Sequence, residues 1–126
     1  MRKIQSKIID QSHNLFFLPK YEGMHVSFIT RRNTIICYGF NDILKTHPMS
    51  KRFGYPNENI HSELAVIKNF SLPVSELKKY TLFNVRIDRN GQFNNSKPCK
   101  NCRRMLEYFG IKKVYFSTKK GSFDVL

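Results

Sequence analysis

His61-Ser62-Glu63 and Pro98-Cys99-Lys100-Asn101-Cys102 are the two stretches of this chain that decide its fold and chemistry. They supply one imidazole and two thiols, with a carboxylate two residues after the imidazole. Zinc favours tetrahedral sites made of such ligands, and a catalytic zinc keeps one of its four positions open for water. The two cysteines are three apart, so they share one face of a helix. The sequence therefore predicts a zinc site, one per chain, with His61, Cys99 and Cys102 as ligands.

A Cys-x-x-Cys pair also occurs in other kinds of site. It can be half of a structural zinc site or a redox pair. A structural site needs four protein ligands, and the remaining cysteine, Cys37, stands alone in an apolar run. A redox pair needs no His-x-Glu stretch upstream. Because both stretches occur together, each at the start of an expected helix, the catalytic site is favoured.

Both ligand stretches are expected at helix starts. The first helix is predicted over residues 60–70, with Asn59 as its N-cap. The second is predicted over residues 98–109, with Pro98 in its first turn and Gly110 just after its end. Thiolates in the second helix would lie near the positive end of its dipole.

Length and composition limit the class of protein. The chain has 126 residues, 40% of them apolar, which fits a single globular domain over residues 1–126. No stretch approaches the roughly 20 apolar residues of a membrane helix, so no membrane partner is expected. The basic N-terminus is interrupted by polar residues, so a signal peptide is not expected there. Three cysteines, two of them given to a metal, favour a reducing compartment and a cytoplasmic protein.

The charge is strongly unbalanced, with 22 Lys and Arg against nine Asp and Glu and a formal net charge of +13. Such an excess favours partners that carry phosphates, and a merely soluble basic surface is the alternative. Residues 41–59 have no clear period and mix cations with aromatic rings. Lys45, Lys51 and Arg52 are expected to contact phosphates, and Phe53 and Tyr55 to stack on bases of a single strand. A solvated connection containing a short helix fits this segment equally well.

The remaining pattern predicts an α/β fold. A helix over residues 3–13 precedes an antiparallel hairpin of strands 25–32 and 34–40, the second of which is expected to be covered on both faces. Further strands are predicted over residues 80–88 and 112–118, with a short final strand over 122–126. Alternating helices and strands favour parallel crossovers, with the ligands at the carboxyl ends of the parallel strands. Only about three residues separate Thr118 from Ser122, so a final strand beside 112–118 must be antiparallel.

With Asn95-Ser96-Lys97 before the second stretch, these motifs resemble the cytidine deaminase-like superfamily over nearly the whole chain, including small phage and viral deaminases. The resemblance implies a three-layer α-β-α fold with a central mixed sheet of four to five strands. It implies that Glu63 is the catalytic proton shuttle for the zinc site. It also implies that Asn41 contacts the substrate's sugar and that the Ser62 backbone binds the base. Pro98 is expected beside the substrate.

The implied reaction is hydrolytic deamination of cytosine to uracil, although adenine would follow the same steps. Because of the charge, single-stranded DNA or RNA is the expected substrate and a free cytidine nucleotide the alternative. An antiparallel final strand occurs in free-cytidine deaminases and some toxin deaminases, so it favours that alternative. A basic zinc-binding nucleic-acid module without catalysis is the third hypothesis, but such a module would have no use for Glu63.

Overall fold

A computed structural model describes residues 2–16, 24–55 and 59–126, without the side chains of residues 2, 43–46 and 59. Within them lie α1 (Arg2–Phe16), β1 (Met24–Arg31), β2 (Thr34–Phe40), β3 (Asp42–Thr46), α2 (Pro48–Arg52), β4 (Asn59–Ile60), α3 (Ser62–Asn69), β5 (Thr81–Ile87), β6 (Phe93–Asn94), α4 (Lys100–Tyr108), β7 (Lys113–Ser117) and β8 (Phe123–Val125). A 3₁₀ helix, Val74–Lys79, precedes β5 and was not expected from the sequence. None of the helices in the described segments is long and apolar enough to cross a membrane.

The central sheet is mixed. Its strand order is β2-β1-β5-β7-β8, and the short β6 pairs with β5 in addition. β1 is antiparallel to both β2 and β5, whereas β5 and β7 are parallel, joined by a crossover that contains α4. β8 pairs antiparallel with β7, as its short connection requires. The predicted α/β fold with a mixed sheet is therefore confirmed, and β6 adds a short strand where only a loop was expected.

Helices cover both faces of the sheet. Alternate residues of β1 and β5 point to opposite sides. Val26 and Phe83 belong to the apolar cluster beneath α1, and Leu82 belongs to the cluster under α3 and α4. The three-layer arrangement puts α3 and α4, which carry the ligand stretches, on the same face.

The prediction that β2 is covered on both faces is wrong. β2 is the outer strand of the sheet, and most of its residues are exposed or half-buried; Ile36 is 41% exposed. An apolar run does not distinguish a central strand from an edge strand whose outer face is only partly covered. Gly39 is the buried exception, since a Cβ there would lie 2.5 Å from the backbone nitrogen of Val66. Glycine thus lets α3 lie directly against the end of β2.

Residues 41–59 are more regular than their sequence suggested. β3 and β4 form a separate antiparallel pair, and α2 lies between them. The α2 N-cap is His47, whose ring accepts a hydrogen bond from the backbone nitrogen of Met49 at 3.0 Å. The short helix that was the alternative is therefore present. Residues 56–58 lie outside the described residues.

Both ligand helices begin later than predicted. α3 begins at Ser62 with His61 as its N-cap, and Asn59 lies in β4 instead. α4 begins at Lys100 with Cys99 as its N-cap, so Pro98 precedes the first turn. An N-cap residue has a non-helical backbone, although its carbonyl oxygen accepts the first hydrogen bond of the helix. Two of the predicted ligands, His61 and Cys99, occupy these positions. Gly110 follows the end of α4 with φ +81°, as expected for a helix stop.

Candidate metal centre and active site

The three predicted ligands meet at the starts of α3 and α4. One nitrogen or sulfur atom from each of His61, Cys99 and Cys102 lies within 4.8 Å of the other two. The Nδ1 atom of His61 is 3.9 Å from the Sγ of Cys99 and 3.6 Å from the Sγ of Cys102. A tetrahedral zinc with ordinary Zn–N and Zn–S bond lengths would separate such atoms by about 3.6 Å. The cluster therefore has the size and the donor atoms of a zinc site.

The protonation of the two thiols also suits a metal. A hydrogen bond from the Cys102 thiol, more than the nearby His61 ring, lowers the pKa of Cys99 to about 4. The same hydrogen bond, with burial, raises the pKa of Cys102 well above its ordinary value. One thiolate is therefore available at neutral pH, and zinc binding would release the proton of the other.

Tyr55 supports the cluster from its buried side. Its hydroxyl oxygen is 2.5 Å from the Sγ of Cys102, and its ring stands edge-on to the His61 ring with centroids 4.4 Å apart. Tyr55 is only 4% exposed. The expectation that it stacks on a base is therefore wrong, because its faces are covered. An aromatic residue among cations looks the same in a sequence whether its ring lies at the surface or below it.

Glu63 lies in the first turn of α3, beside the ligand cluster. The side chain is 4% exposed, and burial raises the pKa of its carboxyl group. Its Oε1 accepts a hydrogen bond from the Ser62 hydroxyl at 3.2 Å, and its Oε2 accepts one from Nδ2 of Asn84 at 3.0 Å. The carboxyl group is thus held in one orientation at the metal cluster.

A cavity of about 300 Å³ opens beside the cluster. It brings together five residues that the sequence singled out, namely His61, Cys99, Glu63, Ser62 and Asn41. It also contains residues whose roles were not foreseen: His25, Asn84, Arg86, Ser96 and Lys97. Ser96 and Lys97 stand in the stretch that carries the resemblance, and Asn84 left a signal as a polar residue inside an apolar strand. Such a residue in a buried strand needs hydrogen-bond partners, which sequence alone does not identify.

The other predicted substrate residues do not line this cavity. Pro98 is buried, and Lys51 is exposed on α2. The Arg52 guanidinium lies over the Tyr108 ring, 4.5 Å from its centroid, and Phe53 packs edge-on against the same ring. Arg52 and Phe53 therefore interact with α4, outside the cavity. The Lys45 side chain lies outside the described residues.

The cavity is positively charged near its rim. Arg86 and Lys97 are both exposed there, and Glu63 is its single acidic residue. Burial, with the nearby Arg86, lowers the pKa of His25 to about 4, so this ring is neutral at pH 7. The cavity therefore offers cations at its edge and the uncharged His25 ring as one of its polar groups.

Residues 17–118 match the family model described as the cytidine and deoxycytidylate deaminase zinc-binding region. The chain belongs to this deaminase family. The match includes both ligand stretches, so the predicted superfamily and zinc-binding domain are confirmed, with His61, Cys99 and Cys102 positioned as the zinc site. No curated protein sequence matches this deaminase-family chain. Among solved structures, the crystal structure of cytidine deaminase from Mycobacterium leprae is similar, with 18% identity, a TM-score of 0.47 and coverage of 97% of this chain and 89% of that one.

Proposed function

We propose that this protein hydrolyses cytosine to uracil and ammonia, with Glu63 as the group that transfers protons. The observation that carries the proposal is a buried carboxyl group beside a three-ligand zinc cluster, with both facing one cavity. A structural zinc site would have no need of this carboxyl group. The hypothesis of a zinc module without catalysis is therefore the weaker one.

The residues of the site have two roles in the proposed reaction, metal binding and proton transfer. Zinc held by His61, Cys99 and Cys102 would supply Lewis-acid activation of a water molecule. Glu63 takes one proton from the attacking water and gives it to the ring nitrogen. It then takes the second proton from the hydroxyl group on C4 and gives it to the amino group, which leaves as ammonia as the C4–N bond breaks. Burial raises the pKa of Glu63, and a carboxyl group shifted toward neutral pH is suited to both accepting and donating a proton.

The polar residues of the cavity would hold the substrate. Asn41, at the end of β2, is proposed to bind the sugar, and the Ser62 backbone N–H the base. A cavity of about 300 Å³ is at the small end of ligand sites, so it suits one nucleotide rather than a base pair. A duplex would therefore have to release its cytosine before reaction.

Single-stranded nucleic acid is the proposed carrier of the cytosine. The support is the formal charge of +13, with Arg86 and Lys97 at the cavity and Lys51 and Arg52 exposed on α2. A free cytidine nucleotide is the second candidate, because the antiparallel β7–β8 pair resembles the last strands of free-cytidine deaminases. Both assignments suit a reducing, cytoplasmic setting that keeps the ligand thiols free.

A deamination panel tests the proposal. Zinc-loaded protein is incubated with cytidine, its mono- and triphosphates, and single-stranded DNA and RNA, each beside its adenine counterpart. We expect uracil from the single strands, little reaction of a duplex, and loss of activity with a chelator. Fast turnover of the monophosphate and none of the strands would favour the nucleotide enzyme. Absence of product from every cytosine substrate would reject the proposed activity.

A further inference from the structure

Asn84 is a fully buried amide in the middle of an apolar strand. It stands in β5 between Phe83 and Val85 and is 3% exposed. A buried polar side chain costs stability unless its donors and acceptors are bonded, so its partners indicate why it is there.

Both hydrogens of the Asn84 amide are used. Nδ2 lies 3.0 Å from the Oε2 of Glu63 and 2.7 Å from the backbone oxygen of Ser96, and both are acceptors. Oδ1 accepts a hydrogen bond from the Ser27 hydroxyl at 2.5 Å. The Oγ of Ser62, whose one hydrogen goes to Glu63, lies 3.2 Å from the same oxygen. All four groups are buried, so water does not compete with these bonds.

This arrangement permits one orientation of the amide. If the amide were rotated by 180°, Oδ1 would face the carboxyl oxygen of Glu63 and the carbonyl oxygen of Ser96, which donate nothing when Glu63 is ionised. Nδ2 would then face the Ser27 and Ser62 hydroxyls, while the Ser96 carbonyl oxygen would lose its donor. The Ser96 carbonyl oxygen, which can only accept, therefore fixes the direction in which Asn84 donates, and the Ser27 hydroxyl on strand β1 donates to the remaining amide oxygen.

Asn84 also holds the segment that leads to the second ligand stretch. The Ser96 hydroxyl donates to the Asn84 backbone oxygen at 2.7 Å, while Asn84 Nδ2 donates to the Ser96 backbone oxygen. Ser96 is in turn bonded to Ser117 on β7, whose backbone nitrogen donates to the Ser96 hydroxyl at 2.8 Å. Ser96 lies three residues before Cys99, so one side chain contacts both Glu63 and the approach to a ligand.

We infer that Asn84 is a positioning residue for the reaction. It fixes the Glu63 carboxyl group relative to Cys99 and the rest of the ligand cluster, acting through its hydrogen bonds to Glu63 and Ser96. This inference rests on the proposed role of Glu63. Replacing Asn84 should therefore slow the chemical step while zinc stays bound.

Two substitutions and a control test this role. Asn84→Leu keeps the approximate size and removes all the hydrogen bonds. Asn84→Thr introduces a residue that favours strands and whose hydroxyl group is too short to reach Glu63. This variant is measured in place of the leucine variant if that protein does not fold. Thr30→Val is the matched control, because Thr30 is buried on β1 and its hydroxyl bonds across to the Thr81 backbone oxygen, away from the site. For each protein, kcat, KM, zinc content and the melting temperature are measured.

We expect both Asn84 variants to lose about 10–100-fold in kcat, a loss typical of residues that orient an active group. KM should change by less than about threefold and zinc should stay bound, since the missing interaction acts in the transition state. Thr30→Val should lower the melting temperature with no change in kcat. Unchanged kcat in both Asn84 variants, or a loss explained by missing zinc, would overturn the inference.

A crystal structure of the zinc-loaded Asn84→Thr protein separates this inference from the proposed function. The inference predicts that the Glu63 carboxyl group rotates away from its wild-type position. A carboxyl group that stays in place would overturn the inference, even in an active enzyme. A wild-type protein that deaminates no cytosine substrate would reject the proposed function, whereas the crystal structure would still report whether Asn84 orients Glu63.

Discussion

The hydroxyl of Tyr55 lies 2.5 Å from the sulfur of Cys102, and neither residue lines the cavity. Tyr55 follows Gly54, whose φ of +76° turns the chain after α2, and the Tyr55 backbone nitrogen donates to the Ser50 oxygen at 3.0 Å. The end of α2 is thereby tied to a metal ligand. A hydroxyl that donates to a thiolate stabilises the charged form that binds the metal.

Tyr55→Phe should therefore weaken zinc binding. Partners of metal ligands typically contribute about 10–100-fold in affinity, and this change removes only the hydroxyl. Competition with a chromophoric chelator measures the zinc dissociation constant. Tyr80→Phe is the control, since Tyr80 is also buried but packs against Phe70. Equal zinc affinity in the Tyr55 and Tyr80 variants would show that the contact has no role.

Cys99→Ala should lose zinc and the stability that zinc provides. A ligand that binds only the folded state stabilises it by about 2.7 kcal/mol at 100 times its dissociation constant. Metal analysis and melting curves with and without added zinc check this. Cys37→Ala is the matched control, because Cys37 is half-buried on β2 and its sulfur contacts the Val66 backbone oxygen at 3.8 Å. A zinc-dependent melting temperature in Cys99→Ala would argue against the ligand assignment.

The ligand set could be predicted from the sequence because it depends on residue types at short spacing. His61, Cys99 and Cys102 are rare side chains placed at helix starts, and the geometry brings them together. The surroundings of Glu63 could not be predicted in the same way. Asn84 reaches Glu63 only after β5 and α3 have packed, and periodicity does not report which side chains meet across layers.

Long-range packing also explains the errors. The apolar run of β2 predicts a buried strand, but strand order put β2 at the edge of the sheet. The exact helix starts depended on cap geometry, which a motif does not encode. Phe53 and Tyr55 suggested a stacking surface, yet one packs on α4 and the other lies beneath the zinc site.

His25 should make stability depend on pH. Burial and Arg86 lower the pKa of its ring to about 4 from 6.5, so the folded protein keeps it neutral. Between these two pH values the unfolded chain binds more protons, and stability therefore falls as the pH drops from about 6.5 toward 4.

The stability lost through His25 between pH 7 and pH 5 is about 2 kcal/mol. His25→Gln should remove it. Urea unfolding of both proteins at pH 7 and pH 5 in excess zinc isolates the effect, because zinc release at low pH is common to both. Parallel losses in the two proteins would contradict the prediction.

Binding to single strands should weaken with salt. Each phosphate neutralised in a single strand adds a slope of about −0.7 to the dependence of log affinity on log salt. Replacing Lys51 and Arg52 together by Ala should reduce the magnitude of the slope by roughly one to two units if both contact phosphates. Fluorescence anisotropy with a labelled oligonucleotide gives the slope.

Lys112→Ala with Lys113→Ala is the matched control for that measurement, because these exposed residues lie at the other end of β7 from the cavity. An equal slope in the Lys51/Arg52 variant and the wild type would remove α2 from the binding surface. A slope near zero in the wild type would favour the free-nucleotide enzyme.

Single-turnover deamination by the Glu63→Gln variant tests most directly whether Glu63 transfers protons at the zinc site. The substitution keeps the shape of a side chain that is 4% exposed. Zinc content is measured in the same samples, and the variant should hold as much zinc as the wild type. It should convert cytosine to uracil about 10² to 10⁴ times more slowly. A zinc-loaded Glu63→Gln protein that deaminates at the wild-type rate would contradict this account.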